Sequence, residues 1–554
     1  MNNEGYERRI LLAFLISSVF IFISYYFMPK PQQLEVQPEQ NLITNQVVSE
    51  SLVSSIEMDK KAEIITNILS NNQLIVYVEN LGGRIVDFYV DGKWNQSKSP
   101  IKLYWQSNDY FTGDLFFGQL ENLEKIKDRP VYKIVNSDIN SISLETEFKY
   151  KGKKFIVNKQ FKLEDNYKIS YEVKIKNSSK EDLMLDFDGK SISIPISFGF
   201  AKIEEKNAQA MLMADYYIDK KPKQVLKGGL FKKREHMSYI NSPKWFSVHN
   251  SYFIALTKPE FSDYGTKFLL LKEEKFYSEI TSGIELPVLK LSPSEEKSYK
   301  VELYVGPKDQ YILGQMDKTY KKLFSWPAAF NWFMKPMEFG LYKLAHLIAL
   351  LVKNWGVTII ILALVIKLIL SPLSIQAAIS IKKSNLLQPK LKRLQEKYKD
   401  DPNTLNQKVA ELYRQEKVNP LGGCLPLLLQ FPVFFVLYRV LSTSVELKGA
   451  SFLWIKDLTM PDTLFKVSLP FFAFNFNLLP IIMTVVQIFQ MRIQSLRNPG
   501  VAKEQQFINN YLLPIFFLFI FWSMPSGLVL YWTVQNLFSI VEQEIINMDK
   551  QVQL

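Results

Sequence analysis

The sequence predicts a multi-pass α-helical membrane protein with six transmembrane helices and a large extracytoplasmic all-β sandwich domain. Three observations carry that expectation. A mean hydropathy of −0.04 conceals two unlike parts. Apart from one N-terminal apolar run, the chain is polar and charged up to about residue 325, and beyond it several apolar runs are long enough to cross a hydrocarbon layer about 30 Å thick. Lys and Arg flank those runs, so the formal charge of +12 favours a membrane surface over nucleic acid as the anionic partner. The polar part, finally, consists of short alternating or β-branched runs separated by turn residues.

Taken in order, Arg8 and Arg9 precede an apolar run from Ile10 to Phe27 that ends in Tyr25, Tyr26, Phe27 and Met28. Bulky residues stand where a cleavage site needs small ones, so residues 1–28 are expected to be an uncleaved signal anchor with its N-terminus in the cytoplasm. Residues 29–56 have the composition of a flexible linker. In residues 57–323, strands are expected at Gln73 to Val78 and Arg84 to Val90, joined through Gly82-Gly83, at Ile169 to Asn177 and at Tyr299 to Val305. Many such strands argue for a β-sandwich, read as a docking or spacing module because no nucleophile–base spacing, phosphate loop or metal cluster is found in it. With a single cysteine, Cys424, an intrachain disulfide or a cysteine-based zinc site is excluded. The three scattered histidines, His236, His249 and His346, offer no ligand spacing, and no cofactor is implied.

Residues 324–353 mix aromatic residues with charges and suit an amphipathic helix lying in the interface. Residues 354–546 then hold five spans: Asn354 to Leu373, about Leu421 to Val445, about Leu469 to Met491, about Phe507 to Trp522, and about Ser526 to Ile546. Between the first two of these lies a polar insert, 376–418, broken at Asp400-Asp401-Pro402-Asn403, with apolar stripes at Leu386, Leu387, Leu391, Leu394 and Tyr398 and at Leu405, Val409, Leu412 and Tyr413. That pattern predicts a helical hairpin, and its excess of Lys and Arg places it in the cytoplasm. A short tail, 547–554, is expected there too.

Several motifs in this half are specific. Asn419-Pro420-Leu421-Gly422-Gly423-Cys424-Leu425-Pro426 with Gln430-Phe431-Pro432, Phe521 to Trp532, Asn354-Trp355-Gly356 and Leu386-Leu387-Gln388-Pro389-Lys390 together resemble YidC-type membrane protein insertases, in order and spacing, over about residues 325 to 546. The sandwich behind one extra span resembles the bacterial form with a large periplasmic domain. The resemblance implies a non-enzymatic insertase and chaperone of the inner membrane, acting on nascent inner-membrane proteins in the lipid bilayer, alone or with the Sec translocon. It implies a five-span core around a hydrated groove open to cytoplasm and lipid. Any nucleic-acid partner would be met indirectly, through ribosome contact at the basic hairpin, and no direct nucleic-acid readout is implied. The position where the family usually carries a groove arginine holds Lys367 here.

A lysine within a span costs about 2.5–3.5 kcal/mol on insertion scales, so it is expected to face a polar interior. No Asp or Glu falls in the central portion of any span, which makes water or carbonyl groups the expected partners of Lys367 rather than a salt bridge. Gln430, Gln487, Gln490, Thr533 and Gln535 are candidate polar lining, and Phe431, Phe434, Phe519 and Trp522 candidate residues of an apolar slide guiding the incoming helix. Two other readings compete. Lys367 and Ser371, four residues apart on one helical face, allow a Ser–Lys protease, but no oxyanion donors are evident. An ion-coupled transporter would carry intramembrane acids or inverted repeats, and neither is found.

Overall fold

The computed structural model describes residues 56–57, 63–92, 98–103, 111–120, 129–197, 213–225, 237–250, 252–274, 277–326, 328–398, 401–416, 425–469, 472–497 and 506–548. The expected signal anchor, nearly all of the linker, the motif from Asn419 to Cys424 and the tail beyond Met548 lie outside them. The chain divides into two compact units at Ser325 and Trp326.

Alternation of apolar and polar side chains builds the first unit. Among the described residues its strands form sheets of ten, five and four strands. The expected hairpin is present: Leu74–Glu79 runs antiparallel to Arg84–Gly92 with Leu74 opposite Val90. Its turn places Gly82 and Gly83 at φ of 74° and 55°, a region that glycine enters without steric penalty. The expected strand at Ile169 lies within Lys168–Asn177, paired on one side with Lys153–Glu164 and on the other with Glu296–Pro307, which contains the run from Tyr299 to Val305. Ile169, Tyr171, Val173 and Ile175 are buried, as period two requires. This interior also encloses charged side chains, Arg84, Asp114, Lys159, Lys267 and Glu285 among them. Lys159 is fully buried, donating to the carbonyls of Gly82 at 2.6 Å and Gly113 at 2.9 Å beside the Tyr132 ring. Burial lowers its pKa to about 7, opposed by the charge of Asp114. A short helix, α1 (Gln310–Met316), capped by the Asp309 carboxylate, follows the last strand.

The second unit is helical: α2 (Ala328–Val352), α3 (Trp355–Leu386), α4 (Gln388–Lys397), α5 (Pro402–Gln415), α6 (Leu425–Thr443), α7 (Leu478–Arg497), a π-helical turn at Ile508–Leu512 leading into α8 (Leu513–Phe521), and α9 (Ser526–Met548). Two stretches, Trp355–Ala377 and Leu478–Leu496, are each long and apolar enough to cross a membrane, and Ile508–Phe521 is a shorter apolar helix. The expected count of six spans therefore exceeds what length and apolarity alone assign among the described residues. The hairpin of α4 and α5 is present, with Leu387 and Leu391 buried against Val409, Leu412 and Tyr413.

Three boundaries differ from expectation. The helix of the second span does not stop at Leu373 but continues through Pro372 to Leu386. Proline removes a single main-chain bond there, and the helix formers after it outweigh the loss. Leu386, expected in the hairpin's apolar stripe, is instead 65% exposed, because it ends α3 and lies off the α4–α5 contact. The fourth span does not begin near Leu469. Thr463–Leu469 and Phe472–Asn477 form a β-hairpin, consistent with the period-two alternation from Phe472 to Asn477, and the helix starts at Leu478. The Asp462 carboxylate marks that start by accepting the Leu479 N–H at 2.6 Å.

Candidate functional site

Helix α9 carries hydrogen-bonding side chains at Tyr531, Gln535 and Ser539, each four residues after the last, with Glu542 three beyond. This spacing aligns them on one helical face. Gln535 Nε2 donates to the Ala363 carbonyl of α3 at 2.9 Å and to Tyr531 Oη at 3.2 Å. From α6, Gln430 Nε2 donates to the same Tyr531 oxygen at 3.2 Å. Ser539 donates to the Gln535 carbonyl at 2.8 Å and accepts from Lys367 Nζ at 2.8 Å. The pairs Ala363–Gln535 and Lys367–Ser539 advance together, so α3 and α9 run side by side in the same direction.

The ammonium of Lys367 also pairs with Glu542 Oε2 at 2.7 Å, both side chains being largely shielded from solvent. This corrects the expectation that no acid would meet Lys367. Glu542 lies toward the end of its own helix, outside the central portion of the span. Lys367 lies level with Ser539, and Glu542 is one helical turn further along α9. That axial offset of about 4.5 Å is within reach of the lysine stem when the helices are parallel.

The other expected lining residues divide. Gln430 and Gln535 join the row. Thr533 is buried but returns its hydroxyl to the Val529 carbonyl of its own helix at 2.7 Å. Gln487 and Gln490 are buried on α7, and the side-chain carbonyl oxygen of each, like the Asn536 amide nitrogen on α9, has no hydrogen-bond partner among the described residues. Buried polar atoms of this kind call for water. Tyr531, Ser539 and Glu542 were not singled out from sequence, although the repeat of polar side chains every fourth residue along α9 was the signal for the first two.

The expected apolar slide divides as well. Phe431 on α6 and Phe519 on α8 are 42% and 65% exposed. Phe434, by contrast, packs against Phe521 and Trp532, with centroids 6.0 and 5.4 Å away, and Trp522 stacks on Phe474 of the β-hairpin at 5.1 Å. Phe434 thus joins the rings of α8 and α9, whereas Trp522 joins that of the β-hairpin.

At the ends of α6, α7 and α9 opposite the α4–α5 hairpin, the connecting segments are tied together. The main-chain N–H groups of Ser526 and Gly527 donate to the Met460 and Leu458 carbonyls at 2.8 Å each, and Asn477 Nδ2 donates to the Trp522 carbonyl at 2.6 Å. Alongside, α2 is fastened to α6: Glu338 pairs with Arg439 at 3.3 Å and accepts from Trp326 Nε1 at 2.6 Å. Among the described residues no group of three or more His, Cys, Asp or Glu side chains is placed to hold a metal ion.

Two family descriptions match the chain: "60Kd inner membrane protein" over residues 347–553 and "YidC periplasmic domain" over residues 68–339. A membrane protein insertase YidC from Pelodictyon phaeoclathratiforme is 31% identical, over 83% of this chain and 76% of that relative. One from Endomicrobium trichonymphae is 28% identical over 98% of each chain. A crystal structure of an active YidC insertase aligns over 88% of this chain and 93% of its own, with 20% identity and a TM-score of 0.34. The chain belongs to the YidC family of membrane protein insertases.

Proposed function

We propose that this protein inserts newly made membrane proteins into the bacterial inner membrane and assists their folding, alone or beside the Sec translocon. It crosses the bilayer six times, with the N-terminus and the α4–α5 hairpin in the cytoplasm and the β-sandwich in the periplasm. Clients enter a hydrated groove between α3, α6, α7 and α9, where Lys367 attracts an acid in the translocating tail while Gln430 and Gln535 keep the path wet. The client's apolar helix leaves for lipid past Phe431 and Phe519, and α2 lies in the interface with Trp332 outward.

The observation carrying this reading is a lysine that is the single charged residue of the apolar stretch Trp355–Ala377, held at one end of a polar row linking three helices. The unpartnered polar atoms of Gln487, Gln490 and Asn536 support a wet interior, and the tied segments opposite the hairpin support closure on that side. The exposed rings of Phe431, Phe519 and Trp332 support a lipid boundary. The magnitudes match: a unit charge pair about 5 Å apart at an effective dielectric of about 20 gains about 3 kcal/mol, similar to the cost of one acid in a span. Clients should therefore have short tails with few acids. Adding Asp residues one at a time to a client's translocated tail, in liposomes carrying the full-length protein, should depress insertion steeply after the first one or two. Undiminished insertion of a tail with many acids would defeat the proposal.

A further inference from the structure

We infer that Glu542 is a resident counter-ion that a client's acid must displace from Lys367, and that it thereby limits how acidic a tail the protein accepts. The inference rests on the reading of Lys367 as the groove's cation.

The geometry supports displacement rather than permanent bonding. Glu542 holds Lys367 through Oε2 alone, at 2.7 Å, and its other oxygen, Oε1, is buried with no hydrogen-bond partner among the described residues. A carboxylate with half its acceptor capacity unused is poorly satisfied where it sits, and it gains by turning toward water. Lys367, in contrast, has a second partner on the same helix, the neutral Ser539 hydroxyl at 2.8 Å. When Glu542 leaves, Ser539 still orients the ammonium and two N–H donors remain for an incoming carboxylate. Neither partner is sealed off, the side chains being 16% and 14% exposed, so an exchange needs no unpacking of the bundle.

The electrostatic consequence concerns selectivity. With Glu542 in place, Lys367 is already neutralised, and a client acid gains only the difference between its own attraction and that of the resident carboxylate. Two carboxylates sharing one ammonium repel, so one must withdraw. The groove consequently favours an acidic over a neutral tail by less than an uncommitted ammonium would. Removing the resident charge leaves Lys367 uncommitted and shifts that preference.

The test uses the full-length protein in liposomes with two clients identical except for one Asp→Asn change in the translocated tail. The readout is the ratio of acidic to neutral client inserted, a ratio within each preparation, so that partial misfolding of a variant cancels. For Glu542→Gln the ratio should rise about three- to tenfold, as expected for release of a partly shielded ion pair, and Glu542→Asp should return it toward the native value. A ratio unchanged in Glu542→Gln, while Lys367→Gln lowers it, overturns the counter-ion role and leaves the groove reading standing. Equal loss of both clients in Glu542→Gln, with the ratio constant, assigns Glu542 to structure and also overturns it. A ratio indifferent to Lys367→Gln removes the groove reading beneath the inference.

Discussion

Lys159 and Lys367, both largely shielded from solvent, are stabilised by different means, and the difference is chemical. Lys367 keeps a carboxylate and a hydroxyl within 2.8 Å. Lys159 has only main-chain carbonyls and a ring around it, with Asp114 and Arg84 as the nearby charges, and burial lowers its pKa from the ordinary 10.5 to about 7. Between those values the unfolded chain holds a proton that the folded sandwich has released. Stability at this site therefore rises as pH increases from about 7 toward 10, by about 1 kcal/mol per pH unit, and the gain is lost as pH falls back toward 7. Urea unfolding of the periplasmic unit in the full-length protein and in Lys159→Met, followed across that window, should show a positive slope in the native protein and a flatter one in the variant. Lys159 shares the inward phase of its strand with Phe155, Val157, Phe161 and Leu163, so period two pointed it inward, but the carbonyls that receive it come from distant turns. The partner of Lys367 is 175 positions away on another helix, beyond the reach of any local pattern.

At the scale of elements, the residues that set periodicity were readable and those that set boundaries were not. Period two located the hairpin at Gly82-Gly83 and the strand at Ile169, and the two apolar stripes located α4 and α5. Hydropathy averaged over a window merged the β-hairpin at Phe472 with the helix behind it, because phenylalanines suit both states. Close packing of helix on loop was equally invisible. Gly356, in the first turn of α3, lies directly under the Phe452 ring, so a Cβ there would run into it. Gly356→Ala should destabilise the helical unit by about 1–3 kcal/mol, measured as a lower thermal midpoint in detergent, and Phe452→Ala in the same chain should recover part of the loss. Additive losses in the double variant would show that the two residues do not interact.

At the scale of the whole molecule, every residue given a role in insertion lies after Trp326, in the helical unit, while the sandwich contributes its own separate core. Removing residues 68–307 should therefore leave client insertion near the full-length level. Complete loss would assign the sandwich a direct part. Family motifs made the helical core recognisable because its turns and proline-flanked helix starts are local in sequence, whereas the polar row is assembled from side chains contributed by α3, α6 and α9. The account stands on the charge at Lys367, and the most direct measurement is insertion of a single-acid client by the full-length protein with Lys367→Arg and Lys367→Gln. It predicts that Arg sustains insertion and Gln reduces it at least about tenfold, the equivalent of about 1.4 kcal/mol. Native-level insertion by the Gln variant would contradict it.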